Sequence, residues 1–262
     1  MYGKILVGFT DNERGRDALA LGRALSRACG AELVAATAET GEGEGLGDLV
    51  RAHGADLVVL GSTHRGPVGR VVPGATVERL LGDPPCAVAV APPGFAHRTD
   101  GAGWRPLVGE GDDAGLRVIG VGFDGSEASR AALATATELA LPNGAALRVY
   151  AIAPKVPQVP GAEAQPQPRA AGHQSAAEYL RELLHEAVGS LPSEARALPV
   201  FERDFPAEAL IKASRVGVDL LVLGSRSGGP VRRLLHHSVT SAVMQRSECP
   251  VLVAPERVVT AA

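Results

Sequence analysis

The chain carries the same passage twice, and that duplication constrains its fold more than any other feature. Residues 7–19, VGFTDNERGRDAL, line up with residues 121–133, VGFDGSEASRAAL. Residues 54–92 line up with 217–255 without a gap, and 16 of the 39 positions are identical. The first pair is offset by 114 residues (7 to 121) and the second by 163 (54 to 217). The second copy therefore holds 49 residues that the first lacks, the difference between the two offsets. Internal repeats of this length point to one architecture written twice, with a deletion or insertion in one copy.

Each copy reads as alternating strands and helices. KILVGF and LRVIGVGF are short apolar runs suited to strands buried on both faces. Alanine-rich helical patterns follow, closed by Gly30 in one copy and by Pro142, Asn143 and Gly144 in the other. The second copy continues with a Pro/Ala/Gln stretch over 154–173 that reads as a mobile loop. A helix over about 174–189, a strand near EARALPVF and a helix opened by Pro206 come next. The first copy replaces all of this with an acidic link and one short helix. The pattern predicts an α/β fold of two domains with open parallel sheets and right-handed crossovers. Residues 1–93 form a truncated domain lacking one helix and one strand, 94–115 a linker, and 116–256 a complete domain. The strands CAVAVAP and CPVLVAP are expected to pair across a pseudo-two-fold axis, which closes edges that are otherwise exposed. This makes an intramolecular pseudo-dimer and leaves open a further homodimer.

Composition narrows the function. The net charge is −3 and aromatic residues make up 3% of the chain. Neither suits a nucleic-acid partner, which favours basic grooves and stacking rings. No apolar run reaches the roughly 20 residues of a membrane span. The start of the chain reads as strand rather than as a signal peptide, and three cysteines without metal-like spacing fit a reduced compartment. These features lead to an expectation of a cytoplasmic protein.

Ligands of open parallel sheets sit beyond the carboxyl ends of the strands, where strand order reverses. In the second copy Asp124 ends the first strand, with Gly125 and Ser126 turning into a helix, and GSRSGG follows the strand DLLVL. Glycines let backbone N–H groups turn toward a phosphate, and a helix start capped by Ser238 is an anion site. Arg226, Arg232 and Arg233 add positive charge nearby. Gly at a strand-to-helix turn serves turn geometry alone in most proteins, so this motif by itself is a weak signal.

Taken together, VGFDGSEASRAAL, DLLVLGSRSGG and CPVLVAP resemble the universal stress protein family, in a tandem form with two domains in one chain. The resemblance covers both copies apart from the linker and the deleted segment. It implies a Rossmann-like fold, pairing through the last strand of each domain and, in one subgroup, binding of ATP. Nucleotide-binding members carry G-x2-G-x9-G-[ST] after the fourth strand and an aspartate after the first. Carried over, the pattern assigns Asp124 and Gly125 to the adenine or ribose edge and Ile152 to the base pocket. It assigns Gly224, Arg226, Ser227, Gly228, Gly229, His237, Ser238 and Val239 to the phosphate side. Ser227 and His237 stand where the pattern has its second and third glycines. In the first copy Thr10 replaces the aspartate, His64 the second glycine and Ala75 the hydroxyl, while Gly74 is kept and Thr76 is available as a cap. The first copy is therefore expected to be a structural partner without a site.

Rival chemistries lack their residues. The chain has no G-x4-G-K-[ST] loop and no G-x-S-x-G elbow. His236 and His237 are adjacent and point in different directions, which does not suit a metal pair. Asp112 and Asp113 precede a strand, whereas a phosphoacceptor needs carboxylates at strand ends. Trp104 reads as a packing anchor in the linker. Two functions remain, beside slow ATP hydrolysis, for which the sequence offers no general base. One is a non-catalytic sensor that binds ATP, carried with magnesium, or a related adenine nucleotide in the second domain only. The other is a ligand-free module acting through contacts with a protein partner not identified by sequence.

Overall fold

A computed structural model describes residues 2–37, 46–62, 86–97, 116–155, 175–225 and 239–255. The first copy supplies strand β1 (Lys4–Phe9), helix α1 (Glu13–Cys29), β2 (Glu32–Thr37), α2 (Leu46–His53), β3 (Leu57–Gly61) and β4 (Ala87–Ala91). The second supplies β5 (Val118–Gly122), α3 (Glu127–Asn143), β6 (Ala146–Pro154), α4 (Ala176–Gly189) and β7 (Ala197–Asp204). It ends with α5 (Pro206–Ala213), β8 (Leu220–Ser225), α6 (Val239–Arg246) and β9 (Val251–Pro255).

Local chemistry sets these boundaries. Asn12, Ser126 and Ser175 cap α1, α3 and α4 by accepting from Gly15 N, Ser129 N and Glu178 N. Gly30 and Gly144 close α1 and α3 in the left-handed conformation, where any side chain is strained. Helix α3 runs through Pro142 to Asn143, so Gly144 alone supplies the stop that the tripeptide suggested. Pro206 occupies the first turn of α5, where its missing N–H costs nothing. The strand expected near EARALPVF begins later, at Ala197, because 193–195 form a 3-10 turn.

The nine strands among the described residues form one sheet in the order β2-β1-β3-β4-β9-β8-β5-β6-β7. Every neighbouring pair is parallel except β4 and β9, which are antiparallel. Their register places Ala89 opposite Leu252, Val88 opposite Val253 and Val90 opposite Val251. Residue 252 is residue 89 moved by the repeat offset of 163, so Ala89 faces its own counterpart. The pseudo-two-fold axis passes through that pair, and the expected seam through the last strands is present.

The strands carry buried side chains on both faces, and helices cover each face. The layer under α1, α3 and α4 runs unbroken across the seam, with Leu21, Leu25, Ala89, Leu139, Leu184 and Leu252 all buried. The opposite layer, under α2, α5 and α6, includes Val58, Val88, Leu210, Leu221, Met244 and Val253. Asn143 Nδ2 also bridges the halves, donating to the carbonyls of Ala28 (2.9 Å) and Leu139 (2.7 Å).

One polar device is duplicated. Asp56 Oδ2 accepts from the backbone N–H groups of Gly3 (2.8 Å) and Lys4 (3.0 Å). Asp219, its counterpart 163 residues on, accepts from Arg117 and Val118, both at 2.9 Å. Each aspartate ties the start of its copy's first strand to the neighbouring strand. The two therefore have a structural role, although both lie inside the best-matched stretch of the repeat.

The two copies differ where the offsets require. Between β6 and α5 the second copy inserts α4 and β7, whereas among the described residues the first passes from β2 to α2. The first copy has a device of its own after β4, within the stretch read as linker. Buried Asp17 on α1 accepts from Gly94 N (2.8 Å) and Ala96 N (2.9 Å), which seats Phe95 in the core at 1% exposure. Most of the expected linker, including Trp104, Asp112 and Asp113, lies outside the described residues, as does nearly all of the 154–173 loop.

The three cysteines are free and buried. Burial pushes the Cys29 thiol from its ordinary 9.0 up to about 11, and Cys86 and Cys249 up to about 12. An unfolded chain releases these protons near pH 9 while the native chain keeps them. The thiols' contribution to stability is thus intact below pH 9 and lost as pH rises toward 12. Chemical denaturation between pH 8.5 and 11 is expected to show this decline, and Cys86→Ala to make it shallower by about 1.4 kcal/mol per pH unit at most. A variant with an unchanged slope contradicts the burial assigned to Cys86.

Candidate functional site

Strand register builds one edge of the second copy. Gly122 of β5 lies opposite Tyr150 of β6, and Val121 lies opposite Val222 of β8. Counting onward, Asp124, Ile152 and Ser225 come level at the carboxyl ends of three adjacent strands. Strands β5 and β8 are neighbours that are not consecutive in the chain, and the path passes to one side for β6 and β7 and to the other for β8 and β9. This is the switch point at which an open parallel sheet forms a crevice.

Asp124 is exposed at this point. Its Oδ1 accepts from Ser126 N (3.0 Å) and Ser126 Oγ (2.5 Å), and the same Ser126 hydroxyl accepts from Ser129 N (3.3 Å). The carboxylate is thus held at the start of α3 by the residue that caps the helix. Between them Gly125 adopts φ +80°, and a Cβ there meets Leu183 Cδ1 of α4 at 2.8 Å. Leu183 therefore overhangs the turn, and it belongs to the helix that only the second copy has. Ile152 is 8% exposed and serves as a wall rather than a polar contact. Farther along the rim, Lys155 Nζ bonds Asp204 Oδ1 at 3.0 Å and holds that carboxyl below its ordinary range. Phe205 is 51% exposed beside it.

Gly224 has a role that the motif did not predict. A Cβ on Gly224 lies 2.3 Å from the carbonyl oxygen of Ala128 and 2.4 Å from its carbon, because the end of β8 presses on the first turn of α3. Gly61, its counterpart in the first copy, meets Arg14 O at 2.2 Å in the same way. The glycine is therefore required by helix-on-strand packing in both copies, including the one expected to have no site. Thr240 Oγ1 donates to Gly224 O at 3.1 Å, which draws the start of α6 to the end of β8. Thr240 was not among the sequence candidates; its position one residue after Val239 was the available signal. Val239 itself is 40% exposed at the head of α6. Arg226, Ser227, Gly228, Gly229, His237 and Ser238 lie outside the described residues, as do Arg232, Arg233 and His236.

The first copy closes the same turn with bonds between neutral groups, and its one carboxylate, Asp11, is exposed between them in sequence. Thr10 Oγ1 donates to Asn12 Oδ1 at 3.0 Å, and Asn12 Oδ1 accepts from Gly15 N at 3.0 Å. Thr10 supplies no carboxylate, and no helix equivalent to α4 lies over this turn among the described residues. His64, Gly74, Ala75 and Thr76 lie outside them.

The family model described as the universal stress protein family matches residues 38–92 and 115–255. The chain belongs to the universal stress protein family. A universal stress protein of Mycobacterium tuberculosis is 28% identical over 212 residues, covering 80% of this chain and 68% of its own. The crystal structure of a universal stress protein from Archaeoglobus fulgidus aligns over 96% of both chains with a TM-score of 0.60 and 14% identity. That of a putative universal stress protein from Pseudomonas aeruginosa aligns over 97% of this chain and 93% of its own, with a TM-score of 0.59 and 14% identity. At such identities the two structures speak for the fold, the Rossmann-like architecture repeated. Two matched regions in one chain agree with the duplication read from the sequence.

Proposed function

We propose that this universal stress protein is a non-catalytic sensor that holds ATP or a related adenine nucleotide in its second copy alone, with the first copy as a structural partner. The observation that carries this reading is the turn at the switch point. Asp124 is exposed and fixed by Ser126 in the second copy, whereas in the first Thr10 takes that position, bonded to Asn12, and the nearest carboxylate, Asp11, stands one residue on, where the second copy has Gly125. A fixed carboxylate can accept from a ribose hydroxyl or an exocyclic amine, and Leu183 and Ile152 supply apolar walls beside it. The described residues thus fit an adenosine group. The phosphate side of the assignment rests on 226–238, through the motif resemblance. Among the described residues no group of three His, Cys, Asp or Glu side chains is placed to hold a metal ion. In this reading any magnesium arrives with the nucleotide.

Calorimetric titration of the stripped protein with Mg-ATP tests the reading. One site per chain at micromolar affinity is the expected result. Asp124→Ala is expected to weaken binding by about ten-fold or more, the loss of a charge-assisted hydrogen bond. Thr10→Ala is expected to leave binding unchanged. No heat and no thermal shift at millimolar ATP sink the proposal and favour the ligand-free interaction module.

A further inference from the structure

We propose that β2 is a docking edge for a second copy of this chain, which pairs through its own β2 in antiparallel fashion. The duplication supplies the internal reference. Position 32 in β2 corresponds to position 146 in β6, since Lys4 opposes Glu32 as Val118 opposes Ala146 and both pairs are related by the offset of 114. In the second copy the outer edge of β6 is filled by β7, over eight aligned pairs from Leu147–Ala197 to Pro154–Asp204. The first copy lacks that strand, so among the described residues β2 ends the sheet with its outer edge unpaired.

The hydrogen bonds show which groups face outward. Glu32 N donates to Gly3 O, so Glu32, Val34 and Ala36 address β1. Leu33, Ala35 and Thr37 then direct their N–H and C=O groups away from the sheet, since backbone groups alternate sides along a strand. The opposite end of the sheet is different. Asp204 O accepts from Lys155 N and so faces inward, which places Ala197, Pro199, Phe201 and Arg203 on the outer row of β7. Pro199 leaves that row without a donor in its middle, a common protection of edge strands. No proline or lysine protects β2.

The outward row of β2 is also complementary to itself. Opposed antiparallel residues alternate between pairs whose backbone groups both face the seam and pairs whose groups both face away, so an isologous pairing can centre on Ala35. Ala35 then opposes the second copy's Ala35, Leu33 opposes Thr37 and Val34 opposes Ala36. This register satisfies every outward N–H and C=O of Leu33, Ala35 and Thr37. No like charges meet, because the strand's sole charged residue, Glu32, lies outside the paired stretch and bonds Lys4 at 3.4 Å. Leu33, Val34 and Ala36 are half-buried within one chain and Ala35 is exposed, so pairing covers further apolar surface on both faces.

Sedimentation of the full-length protein over a concentration series, with two charge variants, tests the proposal. The unmodified protein is expected to dimerise. Ala35→Lys and Ala35→Glu each place like charges across the axis and are expected to raise the dimer Kd by about ten-fold or more. An equimolar mixture of the two is expected to recover a heterodimer. Ala35 is solvent-exposed, so each variant keeps its fold, which its thermal midpoint checks. Hydrogen exchange reads the same interface without substitution: amides of Leu33 and Ala35 slow as concentration rises, while that of Val34, bonded inward, does not change. A protein that stays monomeric throughout, or variants that dimerise as well as the original, overturns the proposal. Binding of another protein's strand to a monomeric chain overturns it equally.

Discussion

Gly224→Ala is expected to lower the thermal midpoint by roughly 6–12 °C, the effect of about 3 kcal/mol in a chain of this size. The cause is steric. A methyl group at this position lies 2.3 Å from a backbone oxygen of α3, and helix backbone cannot give way as a side-chain tip can. Gly61→Ala, 2.2 Å from Arg14 O, is expected to match it in the first copy. Differential scanning fluorimetry with and without Mg-ATP separates packing from ligand binding. A drop of similar size for both variants in the absence of nucleotide assigns the glycine to packing. A Gly224→Ala protein with an unchanged midpoint but lost nucleotide affinity contradicts the packing role.

Leu252→Ala is expected to destabilise both halves together. Leu252 sits on the pseudo-two-fold axis, is fully buried, and shares the layer under α1 and α3 with Leu21, Leu25 and Leu139. Truncating a buried leucine costs roughly 2–5 kcal/mol, and the cavity here lies between the halves. The thiols report each half separately, since Cys86 precedes β4 and Cys249 precedes β9. If the halves unfold as one unit, a loss of about 3 kcal/mol speeds the labelling of both thiols by about a hundred-fold in native buffer. Faster labelling of Cys249 with Cys86 unchanged shows instead that the halves open independently, and the unbroken layer then does not couple them.

Much of this architecture could be read from the repeat. Once two copies were aligned, the missing strand followed from the offsets, while the meeting of β4 and β9 was expected from the family resemblance and from the edges their last strands otherwise leave exposed. Details that depend on contacts between distant residues were not legible. Nothing in the sequence distinguishes a glycine that cradles phosphate from one that lets a strand touch a helix, and Gly224 was weighed as a phosphate or turn glycine but not as a packing one. Asp17 gave no signal in the sequence, since its partners, the N–H groups of Gly94 and Ala96, lie 77 and 79 residues away. Asp56 and Asp219 stood in plain sight within the matched stretch, yet their role appears only when strand starts are placed beside them. The place of Leu183 beside Gly125 was not legible because it depends on how α4 crosses the sheet.

The reversal of direction at β4 and β9 has a consequence for how such a molecule can signal. All strands of one copy point one way and all strands of the other point the opposite way, so their carboxyl ends open at opposite poles. The turn containing Asp124 and the turn containing Thr10 therefore face away from each other, at the ends of β5 and β1 on opposite sides of the seam. A binding event at one pole cannot be felt at the other by direct touch. Any coupling between the two poles would have to cross the shared middle of the molecule, where Ala89 meets Leu252 and Asn143 reaches the carbonyl of Ala28.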